Sequence, residues 1–169
     1  MRPSKFMVLA GVFAICHAVP AFSQETLPEV TVTAANYKYL KSVNGQDVAV
    51  PVKRLQRMAA SYDIRNSDIY EEDYDTYFIS FYLPEGEILA AYDKDGKLLR
   101  TAEKYKNVKL PAAVSKAVIT KFPNWSITKD VYLVNYFDDG GAKVKKYKLV
   151  LQNGTKQVRV QVNEDGEIS

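Results

Sequence analysis

Thr76-Tyr77-Phe78-Ile79-Ser80-Phe81-Tyr82-Leu83 is the stretch on which the reading of this chain turns. It is aromatic and β-rich, so it reads as a strand. Side chains alternate across a strand. Tyr77, Ile79, Phe81 and Leu83 therefore share one face, and Phe78 and Tyr82 share the other. One face is expected to cover the core. The other either presents aromatics to a partner or lies under a helix that buries the strand on both sides. Downstream, Glu85-Gly86 reads as a turn and Glu87 to Tyr92 as the partner strand. Asp95-Gly96 is a hairpin turn leading into Lys97 to Thr101.

Upstream of this hairpin the period changes from two to that of a helix. Val50 precedes Pro51, which suits a first helical position. Val52, Leu55, Ala59 and Tyr62 follow at helical spacing, with Lys53, Arg54 and Arg57 on the wet face. The same order recurs later. Leu110 precedes Pro111, and Val114, Ala117, Val118 and Phe122 fall at helical spacing before Pro123 stops the helix. Strands are expected at Ile127 to Tyr136, Lys145 to Gln152 and Thr155 to Val162. The connections are Asp138-Asp139-Gly140-Gly141 and Asn153-Gly154, the latter a type I′ signal. Asp165-Gly166 matches Asp95-Gly96. Pro51 aligns with Pro111 at an offset of 60, and Asp95 with Asp165 at 70, so the second copy is about ten residues longer in its middle.

The first residues read as an export signal. Arg2 and Lys5 precede an apolar run from Phe6 to about Val19, and Pro20, Ala21, Phe22 and Ser23 follow. The run is shorter than the roughly 20 residues a spanning helix needs, so cleavage after Ser23 is expected. Cys16 and His17 are the only cysteine and histidine, and both would leave with the signal. About 146 residues would remain, with neither thiol nor imidazole. Disulfides, cysteine–histidine zinc sites, and Ser–His–Asp or Cys–His catalysis are then excluded. No membrane span is expected after the cut.

Charge and motifs narrow the remaining classes. Glu25 to Tyr105 carries 10 basic and 14 acidic side chains, and Lys106 to Ser169 carries 11 and 6. Neither pole is basic enough to make nucleic acid the default partner. Asp68, Glu71, Glu72, Asp73 and Asp75 form the densest acidic stretch, laced with Tyr70, Tyr74 and Tyr77. No glycine lies there to bend a calcium loop, so a solvated loop is the simpler reading. Asp93-Lys94-Asp95-Gly96 opens like an EF-hand, but its twelfth position is Lys104, so it reads as a turn. There is no P-loop or GxGxxG. No metal or cofactor is expected, and no residue is assigned a catalytic role.

All 12 tyrosines fall after the signal, together with Trp125. Tyrosine combines a large contact area with few rotatable bonds and a polar tip, which suits interfaces. Tyr70, Tyr74, Tyr77, Tyr82 and Trp125 are therefore the candidate partner-binding residues.

Four segments resemble the PepSY-like family of bacterial envelope proteins, related in fold to β-lactamase-inhibitor proteins. They are Leu110-Pro111-Ala112-Ala113-Val114, Lys121-Phe122-Pro123-Asn124-Trp125, Tyr147-Lys148-Leu149-Val150-Leu151-Gln152-Asn153-Gly154 and Asn163-Glu164-Asp165-Gly166-Glu167-Ile168. The likeness spans nearly all of the second half and, more loosely, Val50 to Leu99. It implies tandem helix-plus-antiparallel-sheet modules, an envelope location and a binding or inhibitory role, with no catalytic residue to carry over. The first half departs from the pattern, with Ser61-Tyr62-Asp63 standing where Phe122-Pro123-Asn124 stands in the second.

The expected architecture is α+β: a signal peptide over 1–23, an N-terminal strand segment over 24–49, a first module over 50–105 and a second over 106–169. Within the second of these, Leu27 to Ala34 reads as an edge strand. The expected function is an exported, periplasmic or secreted, non-enzymatic module that docks an envelope protein or peptide, inhibition of an envelope enzyme being one form of that role. A module binding a small ligand or calcium, and a carboxylate-dependent hydrolase, are the alternatives.

Overall fold

The computed structural model describes residues 34–45 and 47–169. In chain order the elements are α1 (Ala34–Val43), α2 (Val50–Ser61), β1 (Thr76–Leu83), β2 (Gly86–Asp93), β3 (Leu98–Lys106), α3 (Ala112–Lys121), β4 (Ser126–Phe137), β5 (Gly141–Asn153) and β6 (Lys156–Asn163). The six strands form one antiparallel sheet in sequence order. β3 pairs with β4, so the halves 50–105 and 106–169 share a single sheet. They also share one core, to which both contribute. The export signal and most of the strand expected over Leu27 to Ala34 lie outside the described residues.

The strands form where period-two patterning predicts them, and each turn has a local cause. β1 and β2 meet at Pro84-Glu85, where Gly86 faces Tyr105 across the sheet. A Cβ on Gly86 would stand 2.3 Å from Tyr105 Cδ1 and 2.8 Å from the Lys104 carbonyl oxygen. Backbone and a buried ring cannot both yield there. Gly86→Ala is expected to cost about 2 kcal/mol through overpacking, read as a lowered midpoint in a denaturant melt.

At the β2–β3 turn, Asp93 Oδ1 accepts the N–H groups of Asp95 at 3.0 Å and Lys97 at 2.9 Å. Asn163 Oδ1 does the same for Asp165 at 3.1 Å and Glu167 at 2.8 Å. Asp93-Lys94-Asp95-Gly96 is thus a side-chain-braced turn. The β5–β6 hairpin turns one residue later than expected, at Gly154-Thr155, with Gly154 at φ +57° in the first loop position. That placement is the II′ arrangement rather than the I′ turn read at Asn153-Gly154.

Within the segment 24–49, where a strand is expected over Leu27 to Ala34, the chain is helical over Ala34–Val43. Asn36, Tyr39 and Val43 of α1 point inward and are buried. Asn36 is held by three bonds: Leu98 N–H donates to its Oδ1 at 2.8 Å, and its Nδ2 donates to the carbonyls of Ala60 and Gly96 at 3.2 Å each. α2 lies against β1 and β2, and α1 lies against α2 and β3 to β5. α3 adds Val114 and Val118 to the same core.

Tyrosines build much of that core. Tyr105, Tyr132 and Tyr147 stand opposite one another on β3, β4 and β5. Their rings stack, with centroids 6.0 Å and 4.3 Å apart. Each buried hydroxyl has a partner, as burial demands. Tyr92 donates to the Ala59 carbonyl at 2.6 Å, and Tyr132 to Glu164 Oε1 at 2.6 Å. The tyrosine content, read from sequence as an interface signal, is therefore largely a core property.

Candidate docking surface on the open sheet face

Alternation assigns Phe78 and Tyr82 to the face away from the helices, and the register shows what stands beside them. Three rows cross β1 to β4: Phe78, Ala91, Arg100 and Phe137; Ser80, Leu89, Ala102 and Asn135; Tyr82, Glu87, Lys104 and Leu133. Among the described residues no helix covers them. Phe78 is 56% exposed, Tyr82 66% and Leu89 48%. Of the two readings of β1, the described residues fit the open one.

The relief of this face comes from side-chain size. Ala91, Ala102 and Ser80 are small and lie among Phe78, Leu89 and Phe137. Two shallow hollows result. One, of about 220 Å³, is lined by Phe78, Leu89, Ala91, Ala102 and Phe137 among others. The other, of about 430 Å³, includes Ser80, Tyr82, Leu89, Leu133 and Asn135. The Arg100 guanidinium sits 5.4 Å from the centroid of the Phe78 ring, a cation–π distance. Lys104 and Glu87 form an exposed ion pair at 3.7 Å, worth little in water.

Toward β6 the face turns basic. Val131 opposes Lys148, Leu133 opposes Lys146, and Val150 opposes Arg159. A third hollow of about 430 Å³ is bounded by Lys129, Val131, Lys148, Val150, Arg159 and Gln161. The face therefore pairs an aromatic, apolar half with a cationic half. Its one acidic member in these rows is Glu87, already paired with Lys104.

The five residues singled out from sequence are not brought together. Tyr82 stands on the open face. Tyr77 is buried on the opposite side of β1, where Tyr70 stacks on it at 5.6 Å and Tyr74 meets it edge-on at 6.2 Å. The Tyr77 hydroxyl donates to the Glu71 carbonyl and accepts the Glu71 N–H at 3.2 Å. This trio fastens the acidic loop to the sheet, although Tyr74 remains exposed. Trp125 is partly buried against the core, edge-on to Phe122 at 6.3 Å. Sequence reasoning missed Leu89, Arg100, Leu133 and Phe137. Phe78 and Tyr82 share a parity that is visible in the sequence, but the other four join them only through strand register.

No family model matches the chain, and no curated protein matches it. Among solved structures it is similar to a BLIP-like protein from Bacteroides fragilis, at 16% identity over 84% of this chain and 86% of that one, with a TM-score of 0.33. A score that low does not establish a shared fold. Among the described residues no helix is long and apolar enough to cross a membrane.

Proposed function

We propose that the protein is an exported, non-enzymatic binding module that docks a protein or peptide of the cell envelope through the open face of β1 to β4. The observation that carries this reading is the exposed cluster of Phe78, Leu89 and Tyr82, one from each row, beside hollows made by alanine and serine. Rigid aromatic anchors beside small-residue hollows are the usual makings of an interface hot spot. The cationic half toward β6 supports a partner with acidic groups at its rim, since such charge steers approach. Export rests on the leader over 1–23 and on the resemblance of the second half to envelope proteins.

The test uses the purified protein, tagged, against extracts of its own cell envelope. Phe78→Ala, Tyr82→Ala and Leu89→Ala are surface changes, so each variant should keep its circular dichroism spectrum and melting temperature. At least one should lose its captured partner by about tenfold or more. Capture undiminished in all three folded variants would show that docking does not use this face.

A further inference from the structure

We propose that the outer edge of β1 takes up an extended segment of a partner protein as an added strand, one with an uncharged middle and basic residues at its ends. The contact is made by the rim of the sheet, and it stands whether or not the open face docks a partner.

The sheet has two edge strands, β1 and β6, and the chain treats them differently. β6 carries Lys156 and Arg159, and charges of this kind discourage a further strand. The end of the chain also lies along it. Val162 bridges to Ile168, and the Ser169 N–H donates to the Gln161 carbonyl at 2.9 Å. β1 has none of these guards. Thr76 to Leu83 holds no charged residue and no proline, and its pairing with β2 runs without a bulge. Every second residue of the strand turns its N–H and C=O away from β2. Among the described residues these groups have no backbone partner. An unguarded edge of 8 residues is a template for strand addition.

Both faces are unfinished at this edge. On the helical side Ile79 and Leu83 pack against the core yet stay only partly buried. On the other side Phe78 and Tyr82 are exposed. Side chains directly across neighbouring strands touch. An added strand therefore covers Ile79 and Leu83 with one set of alternate side chains and meets Phe78 and Tyr82 with the other.

Charge decides between a second copy of this chain and a different protein. From Asn66 to Asp93 the sequence has no basic residue. Asp73 and Asp75 precede β1 and Glu85 follows it. None of the three is in an ion pair among the described residues. Antiparallel pairing of two β1 edges would set Asp73 and Asp75 of one copy beside Glu85 of the other. Parallel pairing would set each acid beside its own counterpart. Like charges across a strand pair repel, so the flanks disfavour a second copy. A foreign strand with lysine or arginine at both ends meets attraction there instead. The edge supplies the main-chain bonds, and the flanks select which strand makes them.

Fluorescence anisotropy with the purified protein and synthetic peptides tests this. The probe alternates valine and threonine over 8 residues, the length of β1, between lysines at both ends. It should bind. The same peptide with glutamates at its ends should bind at least about tenfold more weakly. So should the lysine-ended peptide with its middle amides N-methylated, which cannot donate to β1. Asp75 is exposed and Glu85 half-buried, so the double variant Asp75→Lys, Glu85→Lys should fold. It should reverse the preference in favour of the glutamate-ended peptide. The bound peptide should slow amide exchange at alternate residues of Thr76–Leu83 by at least about tenfold, and the protein alone should sediment as a monomer. Failure of the lysine-ended peptide to bind overturns the proposal. So does equal binding of the N-methylated peptide, or a lysine preference that survives the double charge reversal. Protection confined to other strands would place the peptide elsewhere, and a dimer with protected β1 amides would name a second copy as the occupant; either result also overturns it.

Discussion

Raised above pH 10, the protein is expected to unfold in one cooperative step, releasing six tyrosine protons as it does so. Burial pushes the hydroxyls of Tyr39, Tyr92, Tyr105, Tyr132 and Tyr147 well up from the ordinary tyrosine value. Burial also pushes Tyr136 up to about 12. Neighbouring carboxylates add to the effect: Glu103 beside Tyr39 and Tyr105, and Glu164 beside Tyr132 and Tyr147. A raised folded value means that the folded chain keeps a proton the unfolded chain has lost. The contribution is therefore fully present below the unfolded value near 10 and is lost as pH rises toward the folded value. Each such tyrosine costs about 1.4 kcal/mol per pH unit above 10. Six together cost about 8 kcal/mol per unit, comparable to the whole stability of a typical domain. The unfolding midpoint should fall between about pH 10.5 and 11.5. Tyrosinate absorbance and far-ultraviolet circular dichroism should change together. Tyr132→Phe should make the fall shallower by one tyrosine's share. If all six titrated while the dichroism held, the tyrosine core would not be sealed.

That core shows where sequence reading succeeds and where it stops. Alternation located β1 over Thr76–Leu83, and the Pro51 and Pro111 positions located α2 and α3, because apolar periodicity reports a buried face directly. The α+β class with an antiparallel sheet follows from those elements. α1 escaped because one of its three inward positions, Asn36, is polar, which leaves Tyr39 and Val43 too few to mark a helical stripe. Asn36 and Tyr39 are buried only by virtue of partners far along the chain: Leu98 and Gly96 for Asn36, and Glu103 for Tyr39. Glu103 was illegible for the same reason, since an inward-facing charge reads as a surface position. The docking face was half legible. Parity placed Phe78 and Tyr82 together, but nothing local says whether a helix will cover them. Tyr77 was grouped with them by composition, yet its parity had already assigned it to the other face.

Glu103 is the residue whose loss should hurt folding most. It is 2% exposed, with no ion-pair partner among the described residues. Four neutral donors surround it. Tyr39 and Thr101 donate to Oε1 at 2.8 Å each, Tyr105 to Oε2 at 2.8 Å, and Gln56 to Oε2 at 2.9 Å. The network ties α1 and α2 to β3, so one carboxylate joins both helices to the sheet. Glu103→Leu removes the acceptor and leaves four buried donors unmatched. Each orphaned donor costs about 1–3 kcal/mol, and allowing for local repair the loss should reach about 4 kcal/mol or more. Glu103→Gln keeps one acceptor oxygen but aims an amide N–H at hydroxyls, and should cost about 2 kcal/mol. The pH dependence tests the cause. Burial raises the Glu103 carboxyl above its ordinary value, against the opposing pull of its four hydrogen bonds. The stability from its protonated form is therefore full below the unfolded value near 4.3 and is lost as pH rises through the folded one. The stability gap between wild type and Glu103→Gln should narrow from pH 4 to pH 7 in denaturant titrations. A gap that widened instead would mean that the four donors outweigh desolvation, and that the buried carboxylate is held ionised by its hydrogen bonds alone.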